Sequence, residues 1–359
     1  MARPPSRSST AGELPSQPRV GRVILTLEDV AYAAGVHYST VSRALDPAKA
    51  GRVNASTRAH VESVARRLGY QRDMVASGLR RGRTQTIAVI VADLGNPFMA
   101  PVLRSMANRL EESGLMSLIS ETQDDSARLH RILNHVISRR VDAIITTAAR
   151  LGDGSTLLEI SRQGIPLVLA VRNVPSTRLP ACTDDDVAGG RLAAQHLLSL
   201  GHQRVAQLRG PADVSSFVDR AWGFSEAITA GSAREFEVGV GSPTLEEGIR
   251  LMNLLLDTAR PLPSAIFAHN DLMALGALAV MRQRGISCPE QISVIGYNDS
   301  PQVDRVQPAL TTVRQPAEEI GRMAAEMTVA LLESPRHPPP SRSLRPTLVV
   351  RESTAVPLH

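Results

Sequence analysis

The chain predicts a small all-α helix-turn-helix head followed by an α/β body of two doubly wound parallel-sheet lobes. Three observations predict this. Residues 26–45, TLEDVAYAAGVHYSTVSRAL, place apolar side chains at helical spacing on both sides of one glycine. From Thr86 the pattern changes to short apolar runs (IAVIVAD, LMSLISE, DAIITTA, PLVLAV, RVAQLRG, SAIFAHN, ISVIGYN) alternating with amphipathic segments, which read as buried parallel strands and helices. A length of 359 residues also exceeds one ordinary core, so several domains are expected.

In chain order, Thr26 is a good N-cap, and Glu28 and Asp29 put negative charge on the first turn, where the helix dipole favours it. Leu27, Val30, Ala31 and Ala34 form one apolar face, and Gly35 supplies the left-handed residue that ends the helix. Val36 and Val41 fill the space before a second helix that exposes Tyr38, Ser39, Thr40, Ser42 and Arg43. Those side chains are of the types that reach base edges and phosphates in a major groove. An ordinary helical hairpin also fits a bare Ala-x-x-x-Gly-Val pattern, but the whole string goes further. Residues 46–53 form a loop, Asn54 caps a third helix to about Leu68, and Gly69 stops it. Residues 72–83 form at most a short helix weakened by Gly78, marginal by itself.

Charge is unevenly spread. Residues 1–84 carry 14 basic against 6 acidic side chains, a net +8, whereas the remainder carries 26 against 29. A basic head on a mildly acidic body is the electrostatic footprint of nucleic-acid binding. Cys182 and Cys288 are far apart and lack metal-ligand spacing, so a reducing compartment is expected. No apolar run reaches a membrane span; residues 272–281 (LMALGALAVM) fit a buried helix. The first twenty residues lack the apolar core of a signal peptide, and their Pro, Ser and Arg content suggests a disordered arm. A cytoplasmic, nucleoid-associated protein is expected. Residues 183–186 (TDDD) resemble an acid cluster, but neighbouring carboxylates on a strand end alternate sides. His130, His135, His196, His202 and His269 fall in no metal-ligand spacing. No metal, cofactor or catalytic constellation is expected. Nucleophile-elbow, P-loop and Rossmann glycine patterns are missing, which argues against an enzyme on the same scaffold. A binding receptor of the periplasmic type is disfavoured by the head.

TLEDVAYAAGV…STVSRAL resembles the head of the lactose repressor/purine repressor family of bacterial transcriptional regulators. GRVNASTRAHVESVARRLGY, ASGLRRGRTQTIAVIVADLGNPF, VDAII, GGRLAAQHLLSLGHQRVA, HNDLMALGAL, ISVIGYNDS, LTTVRQPAEEIGRMAA and LVVRESTA continue the likeness in family order over residues 24–355. The resemblance implies a homodimeric DNA-binding regulator, a repressor, that reads a near-palindromic operator in double-stranded DNA under control of a small-molecule effector. It implies base-edge readers at Tyr38, Ser39 and Arg43, and phosphate-contacting or positioning residues at Thr26, Thr40, Ser42, Asn54, Thr57 and Tyr70. Ala76, Leu79 and Arg80 match a hinge helix that enters the minor groove, with Leu79 as the wedge. His37 departs from the usual Ser or Thr cap, and Arg72-Asp73 replaces the usual Pro-Asn before the hinge.

The resemblance further implies two periplasmic-binding-protein-like lobes joined by three crossings, expected near residues 183–186, 312–315 and 334–343. The expected organisation is an arm at 1–23, a DNA-binding domain at 24–71, a hinge at 72–84, and an effector-binding and dimerisation domain at 85–355. Lobe one takes about 85–184 and 315–334, lobe two about 185–312 and 343–355. Phe98 would stack on the effector, Arg220 would clamp a hydroxyl or carboxylate, and Asn270 and Asn298 would hydrogen-bond it. Val171 and Asn298 stand where relatives commonly carry carboxylates. Their loss points to a less acidic pocket and to an effector that is anionic or less hydroxylated than a free hexose. A sugar, sugar derivative or nucleoside-like compound is expected.

Overall fold

A computed structural model describes residues 25–46, 49–70 and 83–358, in two compact units divided after Ser77. Each unit is built around its own core.

The first unit holds α1 (Leu27–Ala34), α2 (Tyr38–Ala44) and α3 (Ala55–Leu68). Thr26 opens α1 with a capping box: its hydroxyl accepts from the Asp29 N–H at 3.3 Å, and the Asp29 carboxylate accepts from the Thr26 N–H at 2.7 Å. Gly35, at φ +64°, ends the helix in the left-handed region. His37 caps α2 through Nδ1, which accepts from the Ser39 N–H at 3.2 Å. The unusual residue thus fills the cap role by a ring nitrogen instead of a hydroxyl, and α2 begins at Tyr38. Asn54 caps α3 and Gly69 ends it. Val30, Ala31, Ala34, Val41, Ala44, Val61, Val64 and Ala65 form the core, with Val36 partly buried beside it.

The second unit starts with β1 (Thr86–Val91), α4 (Met99–Glu112), β2 (Met116–Glu121), α5 (Ser126–Ser138), β3 (Ala143–Thr146), α6 (Gly154–Arg162), β4 (Leu167–Ala170) and β5 (Ala181–Asp184). It continues through α7 (Asp186–Ser199), β6 (Arg204–Leu208), α8 (Ser215–Ala230), β7 (Arg234–Phe236), α9 (Leu245–Thr258), β8 (Ala265–Ala268), α10 (Asp271–Arg284) and β9 (Ser293–Asn298). β10 (Thr311–Arg314), α11 (Ala317–Glu333), β11 (Arg342–Leu344) and β12 (Thr347–Val349) close the chain. The first sheet runs β11-β5-β4-β3-β1-β2 and the second β12-β10-β9-β8-β6-β7. All pairings are parallel except β10 with β12. Helices cover both faces, as a parallel sheet requires.

Two expectations need correction. Residues 115–121 read as a buried strand, yet β2 is an edge strand on which Met116 and Ile119 are exposed. An apolar run has the same sequence at an edge as at the centre. The third crossing was expected at 334–343, but β11 still belongs to the first sheet and β12 to the second. The chain therefore changes lobe at residues 345–346. The proline-rich connector instead returns the chain to the edge of the first sheet, where the Ser341 hydroxyl accepts from the Ala181 N–H at 3.1 Å.

Two glycines set the spacing that matters for the cleft. A Cβ on Gly190 of α7 would lie 2.1 Å from the Arg220 carbonyl oxygen, and one on Gly223 of α8 would lie 2.0 Å from that of Val187. The two helices therefore touch backbone to backbone, which presses α8 and its Arg220 toward α7.

Candidate functional site

Two regions carry polar chemistry. In the head, α2 presents Ser39, Thr40 and Ser42, all half-buried, and the exposed Arg43. Tyr38 is half-buried against the head core, so its ring packs while it remains on the surface. Thr26 and Asn54 are exposed, and their side-chain oxygens serve as caps. Thr57 is half-buried near the start of α3, and Tyr70 packs on the core just after that helix. The caps thus hold the helix starts, while the Arg43 guanidinium makes no hydrogen bond or ion pair among the described residues. Ala76, Leu79 and Arg80 lie outside the described residues.

In the body, a cleft between the two sheets brings together Phe98 from the start of α4, Arg220 and Phe217 from α8, Asn270 at the start of α10, and Asn298 at the end of β9. All four residues expected there line one cavity of about 50 Å³. Asp93, Asn96, Asp124, Thr147, Arg172, Ser216 and Gln315 complete its polar lining. Backbone strain collects here. Asp124, Val171, Asn298 and Asp299 all have positive φ, and Val171 is β-branched at +66°. Such conformations cost about 1–3 kcal/mol each and persist where surroundings enforce them.

Most polar side chains in the cleft are already engaged. Arg220 is buried; its Nε and Nη2 donate to Asp186 Oδ1 at 3.1 and 2.6 Å, and its Nη1 donates to the His269 carbonyl. The guanidinium also stacks over the Tyr297 ring at 3.5 Å. Arg172 holds Asp124 in two hydrogen bonds of 2.6 and 3.1 Å. Burial opposes ionisation of Asp124, but Arg172 and Arg150 outweigh it and hold the carboxyl below its ordinary value. Asn270 Oδ1 accepts from the Met273 N–H at 2.8 Å, and its Nδ2 donates to the Pro243 carbonyl at 2.7 Å. Asn298 Oδ1 accepts from Gln315 Nε2 at 2.9 Å. Each asparagine therefore caps or braces the scaffold while keeping donor capacity on Nδ2.

Arg220 thus differs from a free clamp. Its charge is matched by Asp186, that of Arg172 is matched by Asp124, and Asp93 adds a carboxylate with no ion pair among the described residues. Asp93 and Asp124 come from the loops after β1 and β2. Buried Thr147 Oγ1 and Gln315 Oε1 have no hydrogen-bond partner among the described residues.

Behind the cleft lies a network that sequence reasoning missed. Tyr297 donates to Asp184 Oδ2 at 2.6 Å, and burial pushes both Asp184 and Asp186 above the usual carboxylate range. Mutual repulsion adds to the rise at Asp184, whereas Arg220 opposes it at Asp186. His269 is buried between the Gly210 N–H, accepted at Nδ1, and Gln207 Oε1 at 2.8 Å from Nε2; burial and two nearby guanidiniums keep it neutral. Its ring stacks on Phe217 and braces that wall of the cleft. Across the lobes, Arg150 Nη1 lies 2.6 Å from Asp213 Oδ2, and the Asn173 N–H donates to the Ser215 hydroxyl at 2.9 Å. Only HND around Asn270 and the acid run at 183–186 hinted at this network. Among the described residues no group of His, Cys, Asp and Glu could hold a metal ion, and no helix is long and apolar enough to cross a membrane.

Comparison with known proteins agrees with both regions. Residues 26–73 match bacterial regulatory proteins of the lacI family, and residues 194–354 match a periplasmic binding protein-like domain. The HTH-type transcriptional regulator DegA of Bacillus subtilis is 34% identical over 334 residues, spanning 92% of this chain and 98% of that protein. A solved complex of the transcriptional regulator CelR with cellobiose is 31% identical, with a TM-score of 0.70 over 92% of this chain and 99% of the other. The lac repressor dimer bound to operator is 25% identical, with a TM-score of 0.82 over the same shares. The protein is a DNA-binding transcriptional regulator and not an enzyme, and it belongs to the lacI family of bacterial regulatory proteins.

Proposed function

We propose that the protein is a repressor that binds a near-palindromic operator as a homodimer and is controlled by a neutral, hydroxyl-rich saccharide in the inter-lobe cleft. The charge pairing of the cleft carries the effector class. Both guanidiniums in it are compensated, two aromatic side chains (Phe98 and Phe217) line it, and Asn270 and Asn298 share it with Asp93, a carboxylate in no ion pair among the described residues. That combination recognises hydroxyls and C–H faces and gains little from an anion. CelR, solved with cellobiose, and the lac repressor, solved as a dimer on its operator, support the reading.

In this reading Tyr38, Ser39 and Arg43 read base edges, while Thr26, Thr40, Ser42, Asn54, Thr57 and Tyr70 position the head on phosphates. Ala76, Leu79 and Arg80 enter the minor groove at the operator centre. Residues 24–71 form the DNA-binding domain, 72–84 the hinge, and 85–355 the effector-binding and dimerisation domain, preceded by an arm at 1–23. The protein works in the cytoplasm, at the nucleoid. The Arg150–Asp213 pair sets how readily the lobes separate to admit the effector.

Fluorescence anisotropy on labelled duplex from the gene's own upstream region tests this. Salt-resistant binding over random DNA is expected, with affinity changed by at least one neutral saccharide. Equal affinity for upstream and random DNA would refute the regulatory assignment.

A further inference from the structure

We propose that the Asp184–Tyr297 contact is a proton-dependent latch at the crossing between the two lobes, engaged while Asp184 carries a proton and released when it ionises. Asp184 ends β5 of the first sheet and Tyr297 lies on β9 of the second, so their hydrogen bond of 2.6 Å runs from one lobe to the other. Two crossings meet beside it. α7 begins at Asp186, and the Asp185 N–H donates at 2.7 Å to the carbonyl of Leu344, the last residue of β11. The latch is independent of what ligand fills the cleft.

Charge counting places the proton. Asp184 and Asp186 are both buried, and the guanidinium that acts on both is that of Arg220. Its Nε and Nη2 are engaged by Asp186 and its Nη1 by the His269 carbonyl. Asp184 accepts from the Tyr297 hydroxyl at Oδ2, while its Oδ1 is buried with no hydrogen-bond partner among the described residues. The remaining surroundings bring no second cation. Asp185 and Asp219 add negative charge, His269 is held neutral, and β11 sets Leu344 opposite Asp184. Glu319, Arg322 and Glu326 of α11 act on Cys182, two residues back along β5. An ionised Asp184 is therefore a buried charge without a counter-charge, which costs far more than a neutral carboxyl with one bare oxygen. Burial accordingly pushes Asp184 above the usual carboxylate range, and repulsion from Asp186 adds to the rise.

Tyr297 cannot yield by itself. A Cβ on Gly189 of α7 would lie 2.1 Å from its hydroxyl oxygen, and the Arg220 guanidinium covers its ring at 3.5 Å. Relief of an ionised Asp184 requires the lobes to part so that water reaches the carboxylate, where its ordinary value of about 4 returns. The engaged arrangement thus binds one more proton than the parted one from about pH 4 upward through neutrality. Parting therefore grows as pH rises, by at most about tenfold per pH unit for one proton.

Double electron–electron resonance on the full chain tests the latch, with spin labels at the exposed Gln163 of the first lobe and Gln283 of the second. Cys288 is replaced by Ser, and labelled chains are diluted into unlabelled protein. Between about pH 5 and pH 9 the wild type should gain a second inter-lobe distance, whereas Asp184→Asn, neutral at every pH, should keep the acid distribution throughout. Tyr297→Phe, which removes the hydroxyl and leaves the ring, should show the parted distance already at the acid end. Infrared spectroscopy at neutral pH reads the proton itself: the C=O band of a protonated carboxyl should be present in the wild type and weaker in Asp184→Asn. A wild-type distance distribution that does not move with pH would overturn the latch. So would an equal pH response in Asp184→Asn, a Tyr297→Phe distribution identical to that of the wild type at acid pH, or an unchanged protonated-carboxyl band in Asp184→Asn.

Discussion

The head and the cleft use polar side chains in opposite ways. On α2, Arg43 is exposed and the neighbouring hydroxyls sit at the surface, with the caps at Thr26, His37 and Asn54 doing the structural work. In the cleft the same residue types are first scaffold and then site. Arg220 is locked to Asp186, Arg172 to Asp124, Asn270 to the start of α10, and Asn298 to Gln315. In the proposed reading a head substitution removes only a contact with DNA, whereas a cleft substitution also leaves a partner buried and unpaired.

The largest test of this contrast is Arg220→Ala. Removing one member of a buried pair strands Asp186, which costs about 3–5 kcal/mol of body stability, read by urea unfolding. A variant as stable as wild type would break the comparison, because Arg220 would then be a contact residue like Arg43. Arg43→Ala should weaken operator binding by about 1–3 kcal/mol and leave the melting temperature alone, since the side chain is exposed. Equal operator affinity in mutant and wild type would remove Arg43 from base reading.

Asp184→Asn sharpens the comparison through pH. Asp184 titrates above the unfolded value near 4, so the unfolded chain ionises first as pH rises. Its contribution to stability is therefore present at acid pH and is lost from about pH 4 upward through neutrality. Replacing it with Asn should raise stability at neutral pH by about 1 kcal/mol, or about 2–4 °C in a domain of this size. It should also remove a downward contribution from the profile of melting temperature against pH. A lower melting temperature at pH 7 would show that the carboxylate is held ionised. The smallest effect is expected for Asp213→Asn. Asp213 is about half exposed, so the pair with Arg150 is worth about 0–1 kcal/mol. Lobe separation should become easier, with effector association faster in stopped-flow. An unchanged rate would remove this pair from control of the cleft.

What was legible in the sequence follows the same division. The head is written in local signals: Thr26 with Asp29, Gly35, Asn54 and Gly69 all act within a few residues, and each takes the expected role. Strand positions were legible because apolar runs must be buried, but the exposure of β2 was not, since edge position is a property of the sheet. The location of the cleft residues came from the resemblance, and their partners did not. Arg220 meets Asp186 across 34 residues and Tyr297 meets Asp184 across 113, distances over which one sequence carries no pairing signal. The pairing of pocket charges is hidden for the same reason: Val171 and Asn298 are visible in their motifs, whereas Asp124 meets Arg172 only in three dimensions.

The most direct measurement of charge compensation in the cleft is a matched calorimetric titration, using a neutral saccharide and its carboxylate or phosphate counterpart, with labelled operator followed in parallel. Tighter binding of the neutral member, with a change in operator affinity that its anionic counterpart does not produce at the same concentration, is the predicted result. Preference for the anion would contradict it, because one of the two cleft guanidiniums would then have to be free of its carboxylate.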